Sequence, residues 1–373
     1  MADRIRLGVI GTSGWTELMY FTNLRQRADV EIAAIAGRNP DRLAEMASKY
    51  NVTATFTDYR RLVTDAGLDA VVVAAPDDLH LPMTLAAIDQ GLHVLCEKPL
   101  ANNAADAQRM LEAAQRRGVK HMVLFTWRWQ PHYQYLKALL EGGTFGEITR
   151  AQFSFIAGYG RNTAYEWRLD PNRANGVVGD LGSHMIDLMR WYFGEIVTVS
   201  ATLGTSMSRA QILGHQDGSG YDSGHLSLRL ANGILGVVDV TMVSQCADMV
   251  AKHIVRIEAE KATLELEHIV SGDHAGVTIR LMHADEQQIR MLPVPSAFFG
   301  ASDPTNVLDI YAKEPVGVLG FVAAIRQSRR PEPGFATGVK VQAVVDAALR
   351  SHHEGREVHV TEPTSAPETS RAT

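Results

Sequence analysis

The sequence predicts an α/β protein that has a parallel sheet in its first third and a large open, mostly antiparallel sheet in the remainder. In the first 125 residues, short runs of β-branched residues alternate with amphipathic stretches, which is typical of repeated strand–helix–strand units. After about residue 145, longer runs of alternating apolar and polar residues are separated by Gly and Asp turns. That second pattern favours antiparallel strands with one face of the sheet open.

The first part of the chain is predicted to hold six strands and the helices between them. Its strand candidates are Ile5–Ile10, Val30–Ala36, Thr53–Phe56, Ala70–Ala74, Leu92–Cys96 and His121–Phe125. One helix is expected to begin at Asn39-Pro40, because Asn caps helices and Pro suits a first turn. Another is expected from Asn102 to Arg117, ending at Gly118, which can adopt a left-handed conformation. The unbroken apolar run Ala70–Ala75 indicates a strand that is buried on both faces.

The second part is predicted to combine antiparallel strands with three helices. Its strand candidates are Ile148–Ala157, His225–Leu230, Gly233–Val243 and Ile254–Ala259. Its helix candidates are Gly182–Phe193, Val316–Arg329 and Gly338–His353. We therefore expect a first domain over residues 1–125 and a second over 126–360, whose last helix can pack back on the first domain. Residues 361–373 are rich in Thr, Pro, Ser and Ala and are expected to form a disordered tail.

The composition excludes several classes of protein. The chain has 373 residues, 46% of them hydrophobic and 21% charged, as in a globular protein with about two domains. A formal net charge of −6 gives no field that would attract nucleic acid. No apolar stretch reaches the roughly 18 residues of a membrane-spanning helix, and the run Leu7–Ile10 is too short for a signal peptide. The two cysteines, Cys96 and Cys246, lie far apart without metal-site spacing, which excludes a disulfide framework and a zinc ribbon. We therefore expect a cytoplasmic protein with neither a membrane nor a nucleic-acid partner.

A glycine-rich turn follows the first predicted strand and precedes a helix. Its backbone N–H groups and the helix N-terminus could bind the pyrophosphate of a dinucleotide. The turn departs from the usual fingerprint because Ser13 and Thr16 stand where glycines are common. By itself it is equally compatible with an ordinary strand-to-helix turn. The candidate contacts in this segment are Gly11, Thr12, Ser13, Gly14 and Trp15.

The end of the second predicted strand bears on the choice of dinucleotide. A carboxylate there would bind the ribose 2′-OH of NAD, whereas an arginine accommodates the 2′-phosphate of NADP. The strand ends in Gly37-Arg38, and the next acidic residue, Asp41, belongs to the following helix. Arg38 could be an ordinary solvated cation, but its position favours NADP.

Two further motifs carry a family resemblance. Cys96-Glu97-Lys98-Pro99 ends the fifth predicted strand, and Gly179-Asp180-Leu-Gly182-Ser-His184-Met-Ile-Asp187 opens a helix of the second domain. With the glycine-rich turn, they resemble the Gfo/Idh/MocA family of NAD(P)-dependent sugar and cyclitol oxidoreductases over nearly the whole chain. The other matching positions are Ala75-Pro76, His80, Arg128, Pro131, Trp167-Arg168, Phe335 and Gly338.

The resemblance implies a Rossmann-type nucleotide domain, a substrate-binding and oligomerisation domain, and a set of site residues. The catalytic group would be Lys98, Asp180 and His184. Trp167 and Arg168 would join these three in binding the substrate, and Tyr159 is a further candidate because its aromatic ring could form a face for a sugar. Besides the glycine-rich turn, the implied cofactor contacts are Gly37, Arg38, Ala75, Pro76, His80, Glu97, Lys98 and Arg128. A homodimer or homotetramer is implied through the open sheet, whose outer face would otherwise leave apolar patches in water.

These residue types suit the oxidation of a secondary alcohol, in which hydride leaves carbon while a base takes the hydroxyl proton. His184 is expected to act as acid and base, Lys98 to polarise the reacting oxygen, and Asp180 to orient the lysine or the substrate. Which of His184 and Lys98 accepts the proton stays open. Each residue also has a plainer interpretation, as a core histidine, an exposed lysine and a helix N-cap. The remaining histidines show no ligand spacing, so no metal is expected.

Two other functions remain open at this point. Some relatives retain their nicotinamide and use transient oxidation to cleave a glycosidic bond, so a redox-assisted glycosidase or lyase is one alternative. A non-catalytic regulator that senses a nucleotide or sugar on the same fold is the other. The intact Lys98, Asp180 and His184 argue against the regulator, because a sensor needs no acid–base pair. The sequence does not identify the substrate or the direction of reaction.

Overall fold

The fold is that of a computed structural model, which describes residues 4–25, 27–143, 145–161, 167–207, 220–247 and 250–363. Two sheets organise the described chain, one of six strands and one of nine. The predicted fold class is confirmed, because the first sheet is parallel and the second is mostly antiparallel. Among the described residues, no helix combines the length and apolar character needed to cross a membrane.

The first sheet has the strand order β3-β2-β1-β4-β5-β6. Its strands are β1 (Ile5–Ile10), β2 (Val30–Ala36), β3 (Ala54–Phe56), β4 (Ala70–Val73), β5 (His93–Glu97) and β6 (His121–Leu124). The helices between them are α1 (14–24, with a π-helical turn at Glu17–Phe21), α2 (Pro40–Tyr50), α3 (Tyr59–Asp65), α4 (His80–Asp89) and α5 (Ala104–Arg117). The strand order reverses between β1 and β4, and open parallel sheets bind ligands at the carboxyl edge beside such a point.

Local sequence signals account for these elements. The four residues of β4 are all buried, as its apolar run predicts. The side chain of Asn39 caps α2 by accepting hydrogen bonds from two backbone N–H groups. Helix α5 begins two residues later than predicted, because Asn103 takes the extended cap conformation and accepts from the N–H of Asp106. It ends at Gly118, which has a φ of 65° as expected.

The second sheet has the order β14-β13-β12-β11-β7-β10-β9-β8-β15, and only β7 and β10 pair in parallel. Its strands are β7 (Ile148–Ala157), β8 (Ile196–Gly204), β9 (Ser223–Leu230), β10 (Leu235–Thr241), β11 (Ala251–Ala259), β12 (Ala262–Ile269), β13 (Gly276–His283), β14 (Arg290–Met291) and β15 (Val358–His359). The accompanying helices are α6 (Pro131–Glu141), α7 (Ser183–Phe193), α8 (Ile310–Lys313), α9 (Gly317–Arg326) and α10 (Phe335–Glu354).

The outer face of the nine-stranded sheet is more polar than the sequence led us to expect. Buried side chains alternate along β11 and β12 with partly exposed ones. The partly exposed set forms ion pairs, among them Lys252–Glu267 at 2.6 Å and Arg256–Glu258 at 2.8 Å. Charged pairs interleaved with isolated apolar residues therefore replace the expected apolar patches on this face.

The last long helix, α10, contacts both halves of the molecule. On the first half, the carboxylate of Asp346 accepts a 2.7 Å hydrogen bond from the N–H of Ala104 at the start of α5. On the second half, the hydroxyl of Ser351 accepts a 2.9 Å hydrogen bond from the N–H of Ala201 in β8. Gly338 lies so close to Leu100 that an added Cβ would approach that side chain to 2.6 Å. Most of the predicted tail, residues 364–373, lies outside the described residues.

Candidate active site

The glycine-rich turn is built as a dinucleotide-binding loop requires, with two substitutions that have local roles. Gly11 has a φ of +135°, and an added Cβ would lie 2.1 Å from the carbonyl oxygen of Ala74, so only glycine fits. Ser13 caps α1 by accepting a 3.1 Å hydrogen bond from the N–H of Thr16. Thr16 is fully buried against the turn, in the position where a packing glycine is common. Gly14 has open space around it, so the loop leaves backbone accessible at the helix N-terminus.

Trp15 and Glu97 brace this loop against the end of β5. The indole N–H of Trp15 donates to the Glu97 carboxylate at 2.7 Å, and the Tyr20 hydroxyl donates to the same oxygen at 2.6 Å. Burial raises the pKa of Glu97, while the two donors act in the opposite direction. Trp15 and Glu97, both predicted to contact the cofactor, are thus fixed by each other beside Lys98.

Arg38 follows the end of β2 and Arg42 lies in the first turn of α2, and the two have different environments. Arg38 is exposed and has no ion-pair partner among the described residues. Arg42 pairs with Glu17 and donates to the carbonyl of Thr12 at 3.1 Å. Lys49 and Arg42 lower the pKa of Glu17 to about 2, against the opposing effect of burial. Sequence reasoning missed Arg42, although its place one helical turn after Arg38 is a usable signal.

His80 links two turns at the carboxyl edge of the first sheet. It is fully buried, and its ring nitrogens lie 2.8 Å from the carbonyl oxygen of Pro99 and 2.9 Å from that of Ala75. Burial lowers the pKa of His80, and the two carbonyls act to raise it. Because both nitrogens face the protein backbone, His80 positions the turn after Lys98 rather than offering a hydrogen bond to a dinucleotide.

Lys98 and Asp180 meet across the cleft between the two sheets. The Lys98 Nζ lies 2.6 Å from one carboxylate oxygen of Asp180 and 2.9 Å from its backbone carbonyl. The other carboxylate oxygen accepts from the Tyr159 hydroxyl and lies 3.3 Å from Arg168 Nε. Burial acts to raise the pKa of Asp180, but the Lys98 and Arg168 cations outweigh it and hold that pKa well below its usual range.

Asp180 belongs to a π-helical turn, Val178–Gly182, that runs directly into α7. No side chain caps α7, whose N-cap position is occupied by Gly182. The plainer interpretation of Asp180 as a helix N-cap is therefore wrong. The wider turn brings the carboxylate to Lys98, and such turns occur often at functional sites.

His184 lies in the first turn of α7, next to the same charges. It is 6% exposed and its ring is enclosed by Phe125, Trp127 and Phe155, with ring centroids 6.0 to 6.4 Å away. Burial lowers the pKa of His184 well below its usual value, and the Lys98 charge acts in the same direction. The imidazole is therefore neutral near pH 7, and its Nδ1 has no hydrogen-bond partner in the described part of the chain.

Arg128 and Asp187 form a buried ion pair behind the cleft. Both guanidinium contacts to the carboxylate measure 2.6 Å, and Asp187 is only 1% exposed. Burial raises the pKa of Asp187, and Arg128 acts in the opposite direction. The guanidinium also lies over the Trp191 ring, 5.5 Å from its centroid. Arg128, predicted to contact the cofactor, donates instead from Nε and Nη2 to Asp187.

The remaining predicted substrate residues lie on the second-half side of the cleft. Tyr159 is 42% exposed, although its hydroxyl is bound to Asp180. Arg168 lies over the face of Trp167, 4.4 Å from the ring centroid. The same wall is fixed to the first half by Arg173, which pairs with Asp78 at 2.9 Å. Tyr159, Trp167 and Arg168 thus line the side of the cleft opposite Lys98.

Sequence reasoning missed Asp77, a carboxyl group in the same cleft. It follows Pro76 at the carboxyl edge of β4 and is 4% exposed. Burial raises the pKa of Asp77, the Lys98 cation opposes this, and the Asp180 carboxylate adds to it. The acidic pair after Ala75-Pro76, at the end of a buried strand, was the available signal.

A cluster of buried histidines behind His184 was also missed. His132 and His268 have ring centroids 4.3 Å apart, and those of His253 and His268 lie 5.2 Å apart. The Tyr133 hydroxyl lies 2.8 Å from Nδ1 of His253. Burial lowers the pKa of all three, that of His268 to about 4. Within the described residues, no group of three or more His, Cys, Asp or Glu side chains could hold a metal ion.

Known proteins resemble this chain over nearly its whole length. A family model described as an oxidoreductase family with an NAD-binding Rossmann fold matches residues 5–125, and the GFO/IDH/MocA C-terminal domain matches residues 133–265. Levoglucosan dehydrogenase of Pseudarthrobacter phenanthrenivorans is 25% identical over 348 residues, 85% of this chain and 86% of that enzyme. D-xylose 1-dehydrogenase (NADP(+)) 2 of Haloferax volcanii is 27% identical over 355 residues, 95% of this chain and 99% of that enzyme. A solved levoglucosan dehydrogenase in complex with NADH shares the fold, with a TM-score of 0.82 at 22% identity, over 97% of this chain and 100% of that chain.

Proposed function

The chain belongs to the Gfo/Idh/MocA family of oxidoreductases, and from that premise we propose that it transfers hydride between a ring hydroxyl or ketone of a sugar or cyclitol and NAD(P). The bound nicotinamide supplies the hydride acceptor or donor. The observation that carries the proposal is the contact between Lys98 and Asp180 across the cleft, with His184 one helical turn further on.

The protein's own residues divide the remaining work. Lys98 holds the reacting oxygen, because its ammonium is held in the cleft 2.6 Å from Asp180. A cation at that position stabilises the negative charge that develops on an alkoxide. Asp180 keeps that ammonium in place and accepts from Tyr159. His184 is neutral near pH 7, so it can accept the hydroxyl proton in oxidation and return it in reduction.

The glycine-rich loop fits a dinucleotide, because the tight turn at Gly11 packs against the Ala74 carbonyl and Gly14 leaves open space at the N-terminus of α1. We propose that NADP is preferred. Arg38 is exposed at the end of β2 without an ion-pair partner among the described residues, and no carboxylate replaces it at the ribose position. Replacing Arg38 by Ala should weaken NADPH binding about tenfold and leave NADH binding unchanged, as measured by nucleotide fluorescence titration. An unchanged preference would show that Arg38 takes no part.

The proposed reaction is tested by a spectrophotometric screen of sugars, sugar alcohols and inositols with each dinucleotide. His184→Ala should abolish turnover while the dinucleotide still binds with its original dissociation constant. Turnover retained by this variant would reject the role of His184. Release of a sugar without net change in nicotinamide absorbance would instead support the redox-assisted glycosidase.

We also propose that copies of the chain associate through the outer face of the nine-stranded sheet. The ion pairs on that face, such as Lys252–Glu267, make it more polar than a protein core. If such charges also pair between copies, association weakens as salt is raised, and if burial of the isolated apolar residues dominates, it does not. Light scattering after size-exclusion chromatography at low and high salt checks this, and a monomer under both conditions would contradict it.

A further inference from the structure

A row of imidazole groups leads away from His184 along the buried face of the nine-stranded sheet. His253 and His268 lie directly opposite each other on the paired strands β11 and β12. The Trp127 ring lies beside both, with its centroid 4.5 Å from that of His253 and 5.8 Å from that of His268. The same ring is 6.0 Å from His184. His132 completes the far end of the row, 4.3 Å from His268.

The members of this row share buried nitrogen atoms that have no hydrogen-bond partner among the described residues. The five atoms are Nε1 of Trp127, Nε2 of His132, Nδ1 of His184, Nε2 of His253 and Nδ1 of His268. Each of these side chains is less than one-tenth exposed. The buried His80, by contrast, places both ring nitrogens against backbone carbonyls. Because buried polar atoms are nearly always paired, five unpaired nitrogens in one group indicate sites for bound water.

Water at these nitrogens would give the proposed reaction a route for its proton. Oxidation of an alcohol passes hydride, with its electron pair, from carbon to the nicotinamide and leaves the hydroxyl proton to the protein. A neutral imidazole can accept a proton at one ring nitrogen and release another proton from the second nitrogen. Burial lowers the pKa of both His184 and His253, so neither ring retains the proton near pH 7.

We propose that bound water connects Nδ1 of His184 to Nε2 of His253, and that this connection carries the hydroxyl proton away from the cleft. The proposal rests on the proposed function and adds the route by which its proton leaves. His253 touches no substrate and acts through His184.

The route consists of proton transfers that leave every group neutral. His184 accepts the hydroxyl proton at Nε2 and gives its Nδ1 proton to water, which protonates Nε2 of His253. His253 then releases a proton from Nδ1 to the Tyr133 hydroxyl, 2.8 Å away. Tyr133 passes its own hydroxyl proton through water to His268, whose ring centroid is 6.3 Å from that of Tyr133. His268 lies shortly before the exposed residues 272–277, where the proton reaches solvent.

The bound water is tested without turnover. A crystal structure of the protein should show ordered water within about 3.2 Å of Nδ1 of His184 and of Nε2 of His253. Nitrogens without water would overturn the route alone. A screen in which no sugar or inositol changes the nicotinamide absorbance would reject the proposed function, and the route with it, so the two failures are distinguishable.

His253→Gln tests the route in the working enzyme, because an amide binds water but does not take up a proton at neutral pH. After rapid mixing with dinucleotide and the sugar or inositol that the screen identifies, nicotinamide absorbance measures hydride transfer and a pH indicator measures proton release. The two should coincide in the wild type. In His253→Gln, proton release should lag at least about tenfold behind hydride transfer. Loss of packing alone would slow both rates alike.

His121→Gln is the matched control, because it replaces a buried histidine that stacks on Phe335, outside this row. It should leave the ratio of the two rates unchanged. The same result for His253→Gln would overturn the proposal, because the proton would then leave through the mouth of the cleft, where Tyr159 is 42% exposed.

Discussion

Asp180 and Asp187, on either side of His184 in the sequence, are both buried beside a cation. The pKa of Asp180 is lowered, whereas that of Asp187 is raised. Asp180 has Lys98, Arg168 and Tyr159 around it, and its pKa lies well below the usual range. Asp187 has one guanidinium, from Arg128, and its pKa is raised because burial outweighs that single partner. Both carboxyl groups are buried, so the number of hydrogen-bond donors and cations around each one accounts for the opposite shifts in pKa.

That difference separates a reactive region from a supporting one. A carboxylate with several donors at the edge of a cleft stays ionised and can hold a lysine ready for a substrate. A carboxylate sealed against one arginine fixes the packing of α7 on the 3₁₀ turn Thr126–Trp129, which contains Arg128. Substitutions around Asp180 should therefore change catalysis, and substitutions around Asp187 should change stability.

Lys98→Met should produce the greatest change. It removes the ammonium that we propose stabilises alkoxide charge, so kcat/KM should fall at least about a thousandfold, or about 4 kcal/mol. Thermal unfolding should change little, because Asp180 keeps Arg168 and Tyr159. Steady-state kinetics and differential scanning calorimetry measure the two quantities. Activity within tenfold of wild type would show that the Lys98 ammonium and its contact with Asp180 are not needed for the reaction.

Asp187→Asn should act on stability instead. Breaking a buried pair leaves Arg128 without its partner and should lower the free energy of unfolding by about 3 kcal/mol. Urea unfolding measures this, and the activity of the folded fraction should stay within a few-fold of wild type. Combining Asp187→Leu with Arg128→Met removes both charges and should recover part of the loss. A large fall in kcat without a loss of stability would place Asp187 among the reactive groups.

Acidification should destabilise the region through its histidines before either aspartate contributes a loss. His184, His132, His253 and His268 have folded-state pKa values below 6.5. The unfolded chain therefore binds more protons below pH 6.5, and the free energy of unfolding falls as the pH drops from there towards the His268 value of about 4.

Asp180 loses its contribution only below its unfolded pKa of 3.8, and the raised pKa of Asp187 acts in the opposite direction. Each imidazole that stays neutral in the folded protein costs about 2 kcal/mol between about pH 7 and pH 5, so the four together should give a loss of about 7 kcal/mol. His268→Gln should flatten the curve, measured by urea unfolding at each pH. A wild-type curve that is level over this interval would mean that the buried imidazoles are protonated in the folded protein.

Tyr159→Phe should give the mildest change and tests how far the contacts of Asp180 are shared. It removes the hydroxyl that donates to this carboxylate, while Lys98 and Arg168 remain. A fall in kcat/KM of about five- to tenfold, or about 1 kcal/mol, is expected, with an unchanged melting temperature. A thousandfold fall would make Tyr159 an equal partner of Lys98.

Much of this arrangement can be predicted from local sequence. Strand periodicity, the Asn39 cap and the left-handed Gly118 are properties of a few neighbouring residues, so they indicate the elements and most of their bounds. The motifs around Lys98 and Asp180 then place both residues at the cleft. Their place in the motifs, rather than either residue type alone, carries that expectation.

The rest depends on contacts between residues far apart in the chain. The His cluster joins one helix and two strands, and no spacing in the sequence brings His132 near His268. Asp77 gains its importance from the burial that other elements impose on it. The π-helical turn at Asp180 likewise satisfies a contact with Lys98, 82 positions earlier.

The position of α10 has a consequence for how the protein is made. The backbone of Pro333 binds the β6 strand at 2.9 Å, and Phe335 stacks on His121 at the end of the same sheet. The nucleotide half is synthesised first but lacks this covering until the last helix has left the ribosome. Its edge strand β6 therefore stays uncovered from its own synthesis until that of α10, and during that interval it can pair with neighbouring nascent chains.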